Sequence, residues 1–147
     1  LGNWIYGCDI CQQVCPWQRF RRPTAEPAFY PADITRVAPS LLDLIQLDEA
    51  GFRRRFRRSP IYRLKRAGFL RNVAVAIGNW GDASAVPLLV PRLQDEAVLI
   101  RGHVAWALGR IGGAAAGRAL REQMIRETDS WVRGEIIAAL ADLRRGR

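Results

Sequence analysis

The sequence predicts an all-α chain: a helical-repeat solenoid preceded by a short cysteine segment and a proline-rich linker. Three observations predict it. The chain matches itself at a spacing of 31–32 residues, with Ala and Leu in register. Prolines at 23, 27, 31 and 39 exclude a long helix between residues 18 and 39. All three cysteines, Cys8, Cys11 and Cys15, stand together ahead of that stretch.

The cysteines fall in Gly7-Cys8-Asp9-Ile10-Cys11-Gln12-Gln13-Val14-Cys15-Pro16-Trp17, spaced C-x2-C-x3-C with proline after the last. This is the tail of the bacterial ferredoxin run C-x2-C-x2-C-x3-C-P, whose final cysteine ligates a different cluster from its neighbours. Ile5 stands where the first cysteine of that run would be. On this reading Cys8 and Cys11 hold one [4Fe–4S] cluster and Cys15 reaches a second. The remaining ligands lie in a part of the protein outside this sequence. Two other readings stand beside it. A disulfide would leave one cysteine over. A zinc site would need His103, the lone histidine, as fourth ligand, although zinc sites usually pair C-x2-C with a second close pair.

Residues 18–39 read as an extended linker, with Phe20, Phe29 and Tyr30 expected to anchor it by packing. Helical signals begin at Ser40, an N-cap candidate with Asp43 three residues on, ahead of Leu41, Leu42, Leu44, Ile45 and Leu47. Asp48 is the expected cap of a second short helix, with Phe52 and Phe56 at i,i+4 on one side. A basic run follows: Arg53, Arg54, Arg55, Arg57 and Arg58, a break at Ser59-Pro60, then Arg63, Lys65, Arg66 and Arg71. No Asp or Glu lies between Gly51 and Trp80 to neutralise it.

From about residue 67 the chain repeats. Val73-Ala74-Val75-Ala76-Ile77-Gly78 matches Val104-Ala105-Trp106-Ala107-Leu108-Gly109, and Arg101 to Leu108 matches Arg133 to Leu140. Such a period signals a solenoid of paired helices. Ala74, Ala76, Ala105 and Ala107 allow close helix approach. Gly78 and Gly109 are expected to end helices in left-handed caps. The intervening helices are expected from Ser84 to about Gln94 and from Ala114 to about Thr128. Pro87 suits a first turn, and Pro91 should kink or shorten its helix. Asp129 is the expected cap of the last helix, and residues 144–147 should fray. Trp80, Trp106 and Trp131 read as core. His103 aligns with Glu135, a slot that tolerates a surface charge.

Composition bounds the function. The 147 residues suffice for one domain, or a small motif plus one domain, and 49% hydrophobic content supports a core. No run reaches the ~20 apolar residues of a membrane span. The first residues lack the basic start and apolar stretch of a secretory leader. The only methionine is Met124, so the sequence is expected to be a piece of a longer or processed protein. Few, clustered cysteines suit a reducing, cytoplasmic setting. The net charge of +9 is nearly all arginine, whose planar fork suits phosphate and stacks on bases, so a nucleic-acid partner is consistent with it.

With both halves read, the chain resembles the C-terminal part of the epoxyqueuosine reductases, a family of tRNA-modification enzymes. The resemblance rests on Gly2-Asn3 through Tyr6 to Trp17, Phe52-Arg53-Arg54-Arg55-Phe56-Arg57, Ser59-Pro60-Ile61, Leu70 to Asn79, and Arg101 to Gly109. It departs from the family at Gln18, commonly Asn, and at Arg58, often Gly. It implies that residues 1–17 end a ferredoxin-like domain with two [4Fe–4S] clusters, that 18–39 link, and that 40–147 form a HEAT-like domain. It further implies that a cobalamin-binding domain, a catalytic acid and the other cluster cysteines lie upstream. Electrons from an external donor would pass through the clusters to cobalamin, which acts on epoxyqueuosine in tRNA. The expected ligands are Cys8, Cys11 and Cys15, with no catalytic residue in this chain. The expected contacts to the anticodon stem-loop are Arg53, Arg54, Arg55, Arg57, Arg58, Arg63, Lys65, Arg66 and Arg71. A cytoplasmic monomer with no membrane contact is implied. Two other functions compete: a HEAT-repeat protein-interaction scaffold, and a general ferredoxin-type electron carrier fused to one. Neither would act on tRNA.

Overall fold

The computed structural model describes residues 4–30 and 33–145, and among these every regular element is helical. Residue 31, one of the linker prolines, and the tail at 146–147 lie outside the described residues.

The cysteine segment holds one short helix, α1 (Ile10–Gln13), followed by a 3₁₀ turn at Pro16–Phe20. Proline at the start of that turn costs no hydrogen bond, because the first N–H groups of a helix have no internal partner. In the linker come a 3₁₀ turn at Pro27–Phe29 and α2 (Ile34–Val37). Phe20, Phe29 and Tyr30 do not anchor it. They are 59%, 76% and 62% exposed, because no described element passes close enough to cover them.

The packed part starts with α3 (Leu41–Leu44) and α4 (Glu49–Phe56). Ser40 precedes α3 but its hydroxyl caps nothing. Asp48 does cap α4, its carboxylate accepting from the Gly51 N–H at 2.6 Å. Phe52 and Phe56 stand 5.3 Å apart and close on Phe69, 5.6 and 4.8 Å away. Three rings in mutual tilted contact join this short helix to the repeats; such pairs add about 0.5–1.5 kcal/mol each beyond their burial. Ser59 caps the 3₁₀ turn Pro60–Leu64, which leads into α5 (Lys65–Trp80).

The repeats follow the self-match. α5, α7 (Val98–Ile111) and α9 (Ser130–Arg144) are equivalent helices, α5 packed along α7 and α7 along α9. Between α5 and α7 the expected single helix is broken into a 3₁₀ turn Ala83–Ala85, α6 (Val86–Leu89) and a 3₁₀ stretch Val90–Gln94. Pro87 sits in the first turn of α6, and Pro91 starts the tighter winding because it offers no N–H to the α-helical ladder. α8 (Gly113–Arg126) is the intervening helix of the next repeat, one residue earlier at its start and two shorter at its end than the sequence suggests. Asp129 caps α9 through the Trp131 and Val132 N–H groups, at 3.0 and 3.1 Å.

Two glycines do different work from that expected. Gly78 and Gly109 lie inside α5 and α7, not at their ends. A Cβ on Gly78 would stand 2.6 Å from Trp106 Cζ3 and 3.0 Å from Ala107 Cα. One on Gly109 would stand 2.6 Å from Ala139 Cβ. Absent side chains let neighbouring backbones meet, with Ala107 and Ala139 across the contact. The left-handed position that ends α5 is Gly81, three residues on, at φ +75°.

Two ion-pair networks brace the ends of the repeats. The Arg66 guanidinium forks onto the Asp95 carboxylate and also donates to Leu47 O at 3.0 Å. Arg92 donates to Ile45 O and approaches the same carboxylate. One repeat later, Arg101 forks onto Glu127 at 2.9 Å on both oxygens. Glu127 also accepts from Gln123 and from the Thr128 and Asp129 N–H groups. Its side chain is only 2% exposed.

Candidate cluster-ligand segment and basic run

The cysteine loop turns through Asp9, whose backbone takes the left-handed conformation at φ 49°. Asp9 O then accepts from the Gln12 and Gln13 N–H groups, both at 2.9 Å, and starts α1. This places Cys11 in the first turn of a one-turn helix, with Cys8 before it and Cys15 after it. All three are free thiols; Cys8 and Cys15 are half-buried and Cys11 is exposed. Cys11 and Cys15 line one shallow concavity of about 300 Å³ with Trp17, Gln18 and Arg21, and Cys8 is not on it.

Among the described residues, no three His, Cys, Asp or Glu side chains come together as a metal site. His103 sits on α7, its Nδ1 2.9 Å from Leu99 O and its ring 5.6 Å from Trp131. It is therefore not the fourth ligand that a zinc reading requires. What remains is a set of soft, accessible sulfur donors, a donor chemistry that suits iron–sulfur ligation, in a number too small to complete two four-cysteine sites.

Around these cysteines the surface is apolar. Ile10, Val14 and Trp17 are 55%, 74% and 73% exposed. Among the described residues, a hydrogen bond between side chain and backbone ties the segment to the solenoid: Asn72 Nδ2 of α5 donates to Ile5 O at 2.8 Å. Ile5 also packs against the core.

The basic run divides by what each side chain already holds. Arg66 is committed to Asp95, whose attraction and hydrogen bond hold the guanidinium above its already high ordinary pKa. Arg53 pairs with Glu49 at 3.0 Å, Arg55 donates to Thr35 O, and Arg71 donates to Asn72. Arg54, Arg57, Arg58, Arg63 and Lys65 are exposed and have no ion-pair partner among the described residues. Arg54, Arg55 and Arg58 line a cleft of about 840 Å³ that Tyr6, Thr35 and Phe56 also border. The basic run and the segment just ahead of the cysteines thus share one cleft. The two other arginines that open repeat helices are structural: Arg101 holds Glu127, and Arg133 donates to Met124 O and Glu127 O. The sequence carried no sign of the Arg66–Asp95 and Arg101–Glu127 pairs, whose members lie 29 and 26 residues apart.

The tryptophans depart from the core reading. Trp80 and Trp131 are 45% and 42% exposed, and Trp106 is half-buried. With the helix axes drawn together at Gly78 and Gly109, no full indole fits between them there, and the rings of Trp106 and Trp131 rest against Gly78 and Gly102.

Comparison with known proteins places this geometry. Residues 67–141 match HEAT repeats. The epoxyqueuosine reductase of Xanthomonas campestris pv. campestris is 43% identical over 113 residues, covering 76% of this chain and 32% of that protein. That of Bacillus cereus is 36% identical over 142 residues, covering 92% and 36%. The crystal structure of an epoxyqueuosine reductase with an epoxyqueuosine-modified tRNA-Tyr stem loop superposes with TM-score 0.87 at 31% identity, over 97% of this chain and 38% of that one. The chain spans about a third of the length of the curated relatives it matches. Curated relatives and solved structures alike fit it as a C-terminal part.

Proposed function

The chain belongs to the HEAT-repeat family, and on that premise we propose that it is the C-terminal part of an epoxyqueuosine reductase, completing the cluster ligands at one end and holding tRNA on its basic run. The observation that carries this reading is the join between its two halves. The cysteine segment is hydrogen-bonded to the first repeat helix through Asn72, and the basic run borders the same cleft as Tyr6. An electron-relay segment and a polyanion-binding surface are thereby held as one unit. An interaction scaffold needs no such cysteines, and a general electron carrier needs no such basic surface.

Cys8 and Cys11 would ligate one [4Fe–4S] cluster and Cys15 the other, with the remaining ligands supplied upstream. The clusters, when bound, supply one-electron transfer. The apolar surface of Ile10, Val14 and Trp17 would pack under the upstream domains, keeping water from the sulfurs. Cobalamin would be held wholly by residues outside this chain, and the electron donor is external. The protein would work as a cytoplasmic monomer.

Phosphates of the anticodon stem-loop would meet Arg54, Arg57, Arg58, Arg63 and Lys65, the cations of the run that have no ion-pair partner among the described residues. Arg66, pinned by Asp95, would shape the surface and contribute only field. Phosphate contacts position without specifying sequence, so base recognition would fall to the upstream domain.

The test is tRNA binding by the full-length protein carrying Arg54→Ala, Arg57→Ala and Arg63→Ala together. Affinity should fall, and the slope of log K against log salt should shrink by roughly one unit per lost contact. Iron content should be unchanged. Unaltered affinity and slope would make the run a solvated face and remove the tRNA assignment.

A further inference from the structure

The equivalent helices α5, α7 and α9 carry a second feature, away from the cysteines and the basic run. A groove of about 280 Å³ is lined by Val75, Gly102, His103, Trp106, Trp131 and Glu135. Its two indoles are held in place from below. The Trp106 ring rests on Gly78, and the Trp131 ring lies so close to Gly102 that no Cβ could be added there. The aromatic walls are therefore preformed, and a ligand need not pay to order them.

The polar groups of the groove accept rather than donate charge. Glu135 is half-buried and has no hydrogen-bond or ion-pair partner among the described residues. His103 Nδ1 is spent on Leu99 O, which can only accept, so in the neutral ring Nε2 faces a ligand as an acceptor. Among the described residues, no lysine or arginine lines the groove. A carboxylate in a groove lined by indoles attracts a cation and repels phosphate.

A third observation says what kind of molecule lies here. Asn72, His103 and Glu135 occupy the same position in successive repeats. The first of the three already holds main chain, through the carbonyl of Ile5 in a bend of the cysteine segment. The groove thus continues a ridge that already binds polypeptide main chain.

We propose that this groove binds an arginine side chain of a protein partner, its guanidinium stacked on Trp106 or Trp131 and hydrogen-bonded to Glu135. Arginine fits better than lysine, because its planar fork can stack on an indole while meeting a carboxylate. The assignment does not depend on the reductase reading.

The experiment uses the full-length polypeptide labelled with 5-fluorotryptophan, with Trp106 and Trp131 assigned by Trp→Phe exchange. N-acetyl-L-argininamide should shift both ¹⁹F signals saturably in the millimolar range expected of one side chain. The uncharged N-acetyl-norleucinamide should not. Glu135→Gln, an isosteric change at a half-buried side chain, should weaken the arginine response by about fivefold or more, the loss expected when a stacked cation keeps its aromatic face but loses its carboxylate. Equal binding by Glu135→Gln would overturn the proposal. So would the absence of a saturable shift, or tighter binding by guanosine monophosphate, which would make the groove a nucleobase site.

Discussion

Replacing Glu127 by Gln should remove a keystone of the last repeat. The native carboxylate takes both prongs of Arg101 at 2.9 Å, with further donations from Gln123, Thr128 and Asp129. These partners, Arg101 first, outweigh the cost of burial and bring its pKa down from 4.5 to about 2. A fall of that size corresponds to about 3 kcal/mol of folding stability at neutral pH. The contribution is fully present above the unfolded carboxylate value and is lost as pH falls through the folded one. By linkage about 2 kcal/mol of it should be gone at pH 3. Thermal or urea unfolding, followed by helical circular dichroism, should therefore find Glu127→Gln less stable by about 3 kcal/mol at pH 7, because Arg101 is left half-paired in a buried place. The gap between the two proteins should narrow to about 1 kcal/mol at pH 3. A gap that stayed constant between pH 7 and pH 3 would refute the reasoning, since it would trace the loss to shape rather than charge.

Gly109→Ala should destabilise the chain by about 2 kcal/mol or more, because the new methyl meets Ala139 at 2.6 Å and two helix axes must part; the same unfolding experiment reads it. Asp129→Ala should cost about 1 kcal/mol through loss of the two caps at the start of α9, and Asp129→Ser should recover most of it. In the full-length protein, Cys8→Ala and Cys15→Ala should each damage a different cluster, read as distinct signals by electron paramagnetic resonance. Loss of one and the same signal in both variants would refute the split between Cys8 with Cys11 and Cys15.

What the sequence made legible was local or periodic. Asp48 and Asp129 cap the helices that they precede, because a cap needs only its own next three residues. The self-match located α5, α7 and α9, because each repeat solves the same packing problem. Glycine was misread at Gly78 and Gly109 because a repeated glycine has two physical uses, a left-handed turn and a close crossing. Only the neighbouring helix distinguishes them, and here Trp106, Ala107 and Ala139 do so. The same crossings expelled Trp106 and Trp131 from the interior. Within the basic run, Arg66 looked like its neighbours and differs only through Asp95, a partner set by the superhelix. Of the cysteines, the sequence shows the C-x2-C-x3-C-P spacing, and the fold adds that Cys11 is exposed and Cys8 and Cys15 half-buried.

The bond from Asn72 to Ile5 has a further consequence. In a stack of repeats, each unit is placed only by its neighbour, so small rotations accumulate along the array. Position is best known at the datum from which the stack is measured. Here that datum is α5, and the cysteine segment is fastened directly to it. An altered curvature, a shifted α8 or an extra repeat beyond α9 would displace the far end and leave the thiols where they are. The remote helices are thus free to change while the loop of Cys8, Cys11 and Cys15 keeps its alignment.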